Sequence, residues 1–377
     1  MHIIKPCPHC GIKLRFPIDS GVVKVRCRCG YSFLADPDDP QLYADATFDL
    51  SLKKKPKTDM VVSLSSPPFI NVFVSLACGR INVPFAHWFM DVYPEALFAG
   101  EILSKNGIWG NFLKKQMKKA VNNARLVLTI SPEMGSAIAS LNDAGIEEMK
   151  EQNYFLQAAE KIYWTWLWED EFACRNVSDE EIKTYREKKG WRQDDVVFMY
   201  SGNFGRGHII RDFLEATVFC EDKKIKWVFA GDGVRKHEIT DFISLHPHLP
   251  VQLDGYCSTD ELALRIKSAD VHLASVAEGW ENIISPSKIQ NIFAAGKPVI
   301  FIGKENTELS RLISKYDCGW LTEPGDMITL KRAVMEALNH DVRAVKGKNA
   351  FFVAQKFWDR KRQLEKIKKF LESCCDS

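Results

Sequence analysis

From Val196 onward the chain repeats one phrase: a short apolar run, a turn, then an amphipathic helical stretch. VVFMYSG (196–202), WVFAGDG, VQLDG, DVHLAS, PVIFIG and CGWL supply six such runs. Runs this short and this continuously apolar suit strands buried on both faces, as in a parallel sheet covered by helices. Strands alternating with helices imply a doubly wound sheet, whose sites lie at the carboxyl ends of its strands. Upstream, MVVSLSS, VPFAHWF, ARLVLTI and IYWTWLW form a sparser series of about four strands. Between the last two, EEMKEQNYFLQAAEK reads as a helix. The alternate tryptophans Trp164, Trp166 and Trp168 read as a packing ridge.

The 377 residues, 46% hydrophobic and 27% charged, predict two large domains plus a small appendage in a soluble globular protein. The net charge of +2 names no partner. The longest apolar run, Pro67 to Cys78, is too short to span a bilayer, and Met1–Lys5 leads straight to Cys7 with no signal-peptide pattern. Of eleven cysteines, four cluster at the N-terminus and the rest scatter, which suits a reducing cytoplasm better than a disulfide framework. Composition shifts give the expected boundaries: 1–35, a linker over 36–57, a first α/β domain over 58–175, a second over 176–348, and a C-terminal helix and tail over 349–377. The linker rests on five Asp between Asp36 and Leu50, followed by Lys53-Lys54-Lys55-Pro56-Lys57. The last helix spans 349–373, with Val353, Phe357, Leu364, Ile367 and Leu371 on one stripe.

Cys7 and Cys10, then Cys27 and Cys29, stand at a spacing that can close a tetrahedral thiolate site. A unit this small cannot fold on burial alone. The segment resembles short bacterial zinc ribbons, whose usual second knuckle is C-x-x-C; here it is C-x-C. A structural Zn2+ ion is expected on these four thiolates, with a degenerate ribbon, or reduced and unused cysteines, the alternative. Docking a protein partner is the expected role, and the basic residues from Lys5 to Arg28 also admit nucleic-acid contact.

Three loops fall at strand ends of the second domain. Gly202-Asn203-Phe204-Gly205-Arg206-Gly207-His208 lets backbone approach a phosphate while Arg206 neutralises it. Gly231-Asp232-Gly233 is mostly turn chemistry. In the third, Pro286-Ser287-Lys288 opens a helix, where free N–H groups and the dipole favour an anion, and Lys288 adds a charge. Glu281, in the same loop, can accept from hydroxyls on whatever that phosphate carries. An ordinary strand–loop–helix unit with a solvated lysine accounts equally well for the third loop alone. Together the three loops describe a nucleoside diphosphate cleft.

In this order, YSGNFGRGH, WVFAGDG, LRIKSADVHLAS, GWENIISPSK and FAAGKPVIFIG resemble the donor domain of retaining glycosyltransferases of family 4, in the PSK-motif branch that builds bacterial surface polysaccharides. SSPPF, VPFAHWFMDVYPE and ISPEM resemble that branch's acceptor domain. The resemblance covers about residues 58 to 340. It implies the GT-B fold: two Rossmann-like doubly wound α/β domains facing a cleft, here with a shortened N-terminal one behind the ribbon. It further implies that Arg206 and Lys288 hold the donor diphosphate of an NDP-sugar. Gly202, Asn203, Gly205 and Ser287 would surround that diphosphate, while Glu281 and the amides from Gly279 onward would face the sugar. Asp91 would lie near the acceptor hydroxyl, with Glu95 the second choice. No catalytic metal is expected, because the leaving diphosphate itself takes the acceptor proton.

The family's acceptor domains usually carry about three further βα units before the strand at Asp59, which are missing here. A non-catalytic nucleotide-sugar-binding or scaffold protein with a zinc-ribbon docking module is therefore the competing reading, and a nucleotide-sugar epimerase a third. Residues 108–126 hold five basic residues and no acid, with Ile108, Trp109, Phe112, Leu113 and Met117 among them. That pattern suits peripheral contact with an anionic membrane and a polyprenyl-linked or other glycan acceptor, as it suits a solvated helix.

Overall fold

The computed structural model describes residues 2–18, 21–37, 39, 42, 47–48, 58–140, 150–152, 155–159, 161–168, 176–220 and 224–375. The expected linker's Lys53–Lys57 run lies outside the described residues. The chain divides into two compact units, Met1–Asp59 and Met60–Ser377.

The first unit holds β1 (His2–Pro6), β2 (Lys13–Pro17), β3 (Val23–Arg26), β4 (Ser32–Ala35) and β5 (Thr47–Phe48). They form a three-stranded sheet, β2-β1-β5, and a β3-β4 hairpin. Its core is small: Ile3, Phe16, Val25, Ala35 and Leu42.

The second unit contains two lobes. The first lobe runs β6 (Val61–Ser63), α1 (Ile70–Ile81), β7 (Phe85–Trp88), α2 (Glu95–Ala99), α3 (Ile108–Asn123), β8 (Leu126–Thr129), α4 (Pro132–Ser140), β9 (Lys150–Gln152), β10 (Phe155–Ala159) and β11 (Ile162–Trp164). Its sheet order is β6-β7-β8-β11-β10-β9. The first four strands are parallel, and β10 and β9 return antiparallel. The sequence reading of about four strands thus grows to six. The expected helix over 147–161 is corrected to strand at 150–152 and 155–159. Helix propensity is a weak prior, and here the backbone instead continues the sheet past β11, with Leu156 opposite Trp164. Ser131 caps α4, its hydroxyl accepting from the Met134 N–H at 3.1 Å.

The second lobe runs α5 (Asp179–Lys188), β12 (Val196–Ser201), α6 (Arg211–Phe219), β13 (Ile225–Ala230), α7 (Lys236–Leu245), β14 (Val251–Asp254), α8 (Thr259–Ser268), β15 (Val271–Ser275), α9 (Lys288–Ala294), β16 (Val299–Ile302), α10 (Glu308–Tyr316), β17 (Gly319–Thr322) and α11 (Met327–Ala337). The strand order is β14-β13-β12-β15-β16-β17, all parallel. The direction of winding reverses between β12 and β15, the switch point where ligands bind in such sheets. Cores on both faces, one around Phe198, Trp227 and Phe229 and one around Val197, Met199 and Val228, explain the unbroken apolar strand runs.

Two helices, α12 (His340–Phe357) and α13 (Arg360–Cys375), replace the single one expected over 349–373. The break falls at Trp358-Asp359. The Asp359 carboxylate accepts from the Arg362 N–H at 2.8 Å, starting a new helix. Trp358 is fully buried against Phe293 and Trp166. Beyond it, Ile367, Phe370 and Leu371 pack on the first lobe's sheet with Trp88 and Tyr163. The Thr165 hydroxyl donates to Gln363 Oε1 at 3.2 Å. The tryptophans act as packing: Trp164 meets Trp166 edge-on at 5.0 Å, and Trp168 lies 5.9 Å from Trp88.

Candidate active site

A cleft of about 670 Å³ lies between the two lobes of the second unit. The first lobe contributes Asp91, Tyr93, Ala96, Leu97 and Ile102. The second contributes the loop after β12, Gly233 and Val234 after β13, and Trp280, Ile284–Lys288 and Asn291 around the start of α9. The Val92 N–H ties the two walls together by donating to the Ile283 carbonyl at 3.1 Å, and within the second lobe the Ala277 N–H donates to the Gly207 carbonyl at 2.8 Å.

Two of the glycines are required by close approach. A Cβ on Gly231, whose φ is +150°, would lie 1.9 Å from the Gly202 carbonyl oxygen. One on Gly233, at φ +148°, would lie 2.5 Å from Asn203 Oδ1. The two strand-end loops therefore nest backbone to backbone, and the Phe204 N–H donates to the Asp232 carbonyl at 2.8 Å. Gly231→Ala is expected to cost about 2–4 kcal/mol, read from the midpoint of denaturant unfolding.

Lys288 is the most unusual group in the cleft. The residue is half-buried, but its Nζ is out of solvent and has no hydrogen-bond partner among the described residues. It lies 3.7 Å above the centre of the Tyr200 ring. Burial pulls the ammonium down to about 7 from its ordinary 10.5. His208 is held at about 4 by burial and by the Lys288 charge. Its Nδ1 lies 2.7 Å from the Ser275 carbonyl. A carbonyl only accepts, so Nδ1 carries the proton, and Nε2 of the neutral ring is left as an acceptor. Asp91 keeps an open face to the cleft, yet the protein packed around it raises its carboxyl. The Ser65 hydroxyl steadies that loop, accepting from the Met90 N–H at 2.9 Å.

Of the residues expected at the donor and acceptor positions, Asp91, Gly202, Asn203, Gly205, Arg206, Ser287 and Lys288 all line this cleft. Ser287 stands before α9, without a side-chain cap. Glu281 and Gly279 are not among its lining residues. Glu281 lies on an adjoining cavity of about 30 Å³, where Lys304 Nζ pairs with it at 3.3 Å. Lys304 follows β16 and also pairs with Glu278 at 3.3 Å, so this pull comes from a neighbouring strand end. Glu95 is absent from the cleft lining as well, and burial raises its carboxyl. Tyr200 went unnoticed in the sequence. Its only signal is an aromatic residue two positions before the Gly202 turn.

The four cysteines of the first unit converge, with Cys7, Cys10, Cys27 and Cys29 sulfurs all within 4.8 Å of one another. Cys7 and Cys29 Sγ are 3.8 Å apart, and Cys10 and Cys27 Sγ 3.5 Å. Tetrahedral zinc at about 2.3 Å from each sulfur needs S···S separations of about 3.8 Å, so the donor set fits. The C-x-C knuckle still turns as a knuckle: the Gly30 N–H donates to the Cys27 carbonyl at 3.0 Å.

On α3, Met117, Ala120 and Val121 are buried, whereas Ile108 is 88% exposed and Trp109 69%. Phe112 and Ile102 are exposed beside them, with Lys105, Lys115 and Lys119 interspersed. Ile102 also lines the cleft, so this patch adjoins it. Among the described residues, no helix is long and apolar enough to cross a membrane.

A doubly wound lobe with phosphate-sized loops at its switch point, facing a second α/β lobe across a cleft, is the GT-B architecture. Residues 181–351 match the family model for glycosyl transferases group 1. Among curated proteins, the probable glycosyltransferase WbjE of Pseudomonas aeruginosa is 24% identical over 313 residues, covering 81% of this chain and 73% of that protein. The putative colanic acid biosynthesis glycosyl transferase WcaI of Escherichia coli (strain K12) is 24% identical over 186 residues, covering 49% and 44%. Among solved structures, Anabaena HepE in complex with UDP-glucose has a TM-score of 0.65 at 16% identity, covering 84% of this chain and 79% of that one.

Proposed function

We propose that the protein is a retaining, metal-independent glycosyltransferase. It moves a sugar from an NDP-sugar to a glycan or polyprenyl-linked acceptor in bacterial surface-polysaccharide synthesis. The observation that carries this reading is the buried Lys288 ammonium, without a hydrogen-bond partner among the described residues, in a cleft that also presents Arg206 and the Gly202–Gly205 turn. A desolvated cation beside open backbone suits a diphosphate, and its interaction strengthens as charge grows on the leaving group. The bond from the sugar's anomeric carbon to the diphosphate oxygen breaks. A bond to the acceptor oxygen forms on the same face, and the acceptor proton passes to the departing diphosphate. Asp91, on the opposite wall, orients the acceptor hydroxyl. His208 Nε2 is an acceptor for a donor hydroxyl. Glu281 reaches the sugar only after leaving Lys304.

The similar HepE structures hold UDP and UDP-glucose, which makes UDP-sugars the first donors to test. The four first-unit thiolates hold a structural Zn2+ ion that cross-links the two knuckles, and the ribbon docks a protein partner. The α3 patch rests on the cytoplasmic face of an anionic membrane, near a lipid-linked acceptor. Replacing Ile108 and Trp109 together by Ser is expected to cut co-sedimentation with phosphatidylglycerol vesicles at least tenfold while nucleotide binding is retained.

The deciding assay follows donor consumption with and without acceptor lipid extract, with the product's anomeric configuration read by NMR. Consumption only with acceptor, with retention, is expected. Conversion of donor without acceptor would indicate an epimerase, and binding with no turnover under either condition a nucleotide-sugar-binding scaffold.

A further inference from the structure

Resting on the donor reading above, the geometry points to Tyr200 as the positioning residue for Lys288, acting through the face of its ring rather than through its hydroxyl. Tyr200 sits near the carboxyl end of β12, fully buried. The Lys288 ammonium stands 3.7 Å over its ring centre, well within cation–π range. No salt bridge reaches that ammonium among the described residues. The ring itself is fixed from several sides. Phe204 packs at 5.6 Å, Phe213 at 6.4 Å and His208 edge-on at 6.1 Å. Its hydroxyl donates to the Asn203 carbonyl at 3.2 Å, so the same side chain also braces the Gly202–Gly205 turn.

The choice of an aromatic seat has a physical consequence. A carboxylate partner would hold Lys288 more strongly, but a diphosphate would have to displace it. A ring face restrains the ammonium weakly, from one side, and leaves its N–H donors free for the ligand. Gly202 completes the arrangement, since a Cβ there would come within 3.1 Å of Nζ. The lysine is thereby preorganised at the turn with no carboxylate partner among the described residues, and less ordering is left for the ligand to impose.

The probes are UDP, ADP, GDP and dTDP, the tightest of which is then compared with its nucleoside. Tyr200→Phe is expected to bind that diphosphate within about threefold of wild type. Tyr200→Leu should lose roughly tenfold for the diphosphate and nothing for the nucleoside. In a Lys288→Met background the same Leu change should have no further effect, the signature of a coupled pair. Phenylalanines of increasing fluorination at position 200 keep the ring's shape and drain its face, so affinity should fall stepwise along that series. A flat fluorination series would overturn the inference, as would an equal loss in the Lys288→Met background. If wild type binds none of the four diphosphates, the donor reading falls and this inference with it. A wild type that binds while the double-mutant cycle shows no coupling overturns the Tyr200 role alone.

Discussion

Lys288→Met is expected to weaken nucleoside diphosphate binding roughly 100-fold and at the same time to stabilise the fold by about 2 kcal/mol. Both effects have one cause. The wild-type ammonium is out of water and, among the described residues, has no hydrogen-bond acceptor and meets the Tyr200 ring, so the folded state carries an uncompensated desolvation cost. Methionine fills the same volume without a charge. The pH dependence fixes the sign. The folded-state lysine sits at about 7, below its ordinary 10.5. Below pH 7 it is charged in both folded and unfolded chains, and the cost is fully present. As pH rises from 7 toward 10.5 the folded protein sheds the proton first, so wild-type stability gains and the advantage of Met shrinks. Thermal unfolding of both proteins at pH 6.5 and pH 9 checks this. Ligand binding runs the other way. A diphosphate recharges the lysine, so affinity should fall between pH 7 and pH 9. At pH 8, titrations in buffers of different ionisation enthalpy should show close to one proton taken up. Loss of stability in Lys288→Met at pH 6.5, or affinity that is flat across that range, would show that the ammonium has a partner after all.

Chelation is expected to have the largest effect on the first unit. Its core among the described residues is a cluster of five buried side chains, far too few for a stable fold of this length without a cross-link. A thiolate-bound zinc ion contributes on the order of 10 kcal/mol to such a unit. Purified protein should therefore carry one zinc per chain by elemental analysis. A strong chelator, or Cys7→Ser with Cys27→Ser, should collapse the amide NMR signals of residues 2–35 to random-coil positions. Signals of the second unit should stay in place, because its cores are its own. Native-like first-unit signals in metal-free protein would count against a metal role for the four cysteines.

How much of this was legible in the sequence depended on how local the cause was. The second lobe's strands announced themselves, because burial on both faces leaves continuous apolar runs such as VVFMYS and WVFA. Lys288 and Arg206 could be placed because strand-end loops on a doubly wound sheet converge at the switch point. The segment at 147–161 was not legible. Its residues favour helix, and only an open sheet edge beside β11 makes strands of 150–152 and 155–159. The split of the last helix was written in Trp358-Asp359, a large core side chain followed by a helix-capping one, but the stripe on either side of it masked the break. The ion pair that draws Glu281 aside was not legible, because its partner Lys304 lies 23 residues on, after the next strand. Tyr200 was missed for a related reason: a ring's partner across a loop leaves no periodic trace.

The cleft between the lobes is tested most directly by calorimetric titration of a panel of NDP-sugars, without added divalent metal, into wild type and Lys288→Met. One donor should bind wild type, lose roughly 100-fold in the variant, and show no such loss when its nucleoside alone is titrated. Binding that is unchanged in the variant, or no binding of any donor to wild type, would contradict the assignment of this cleft to a nucleotide sugar.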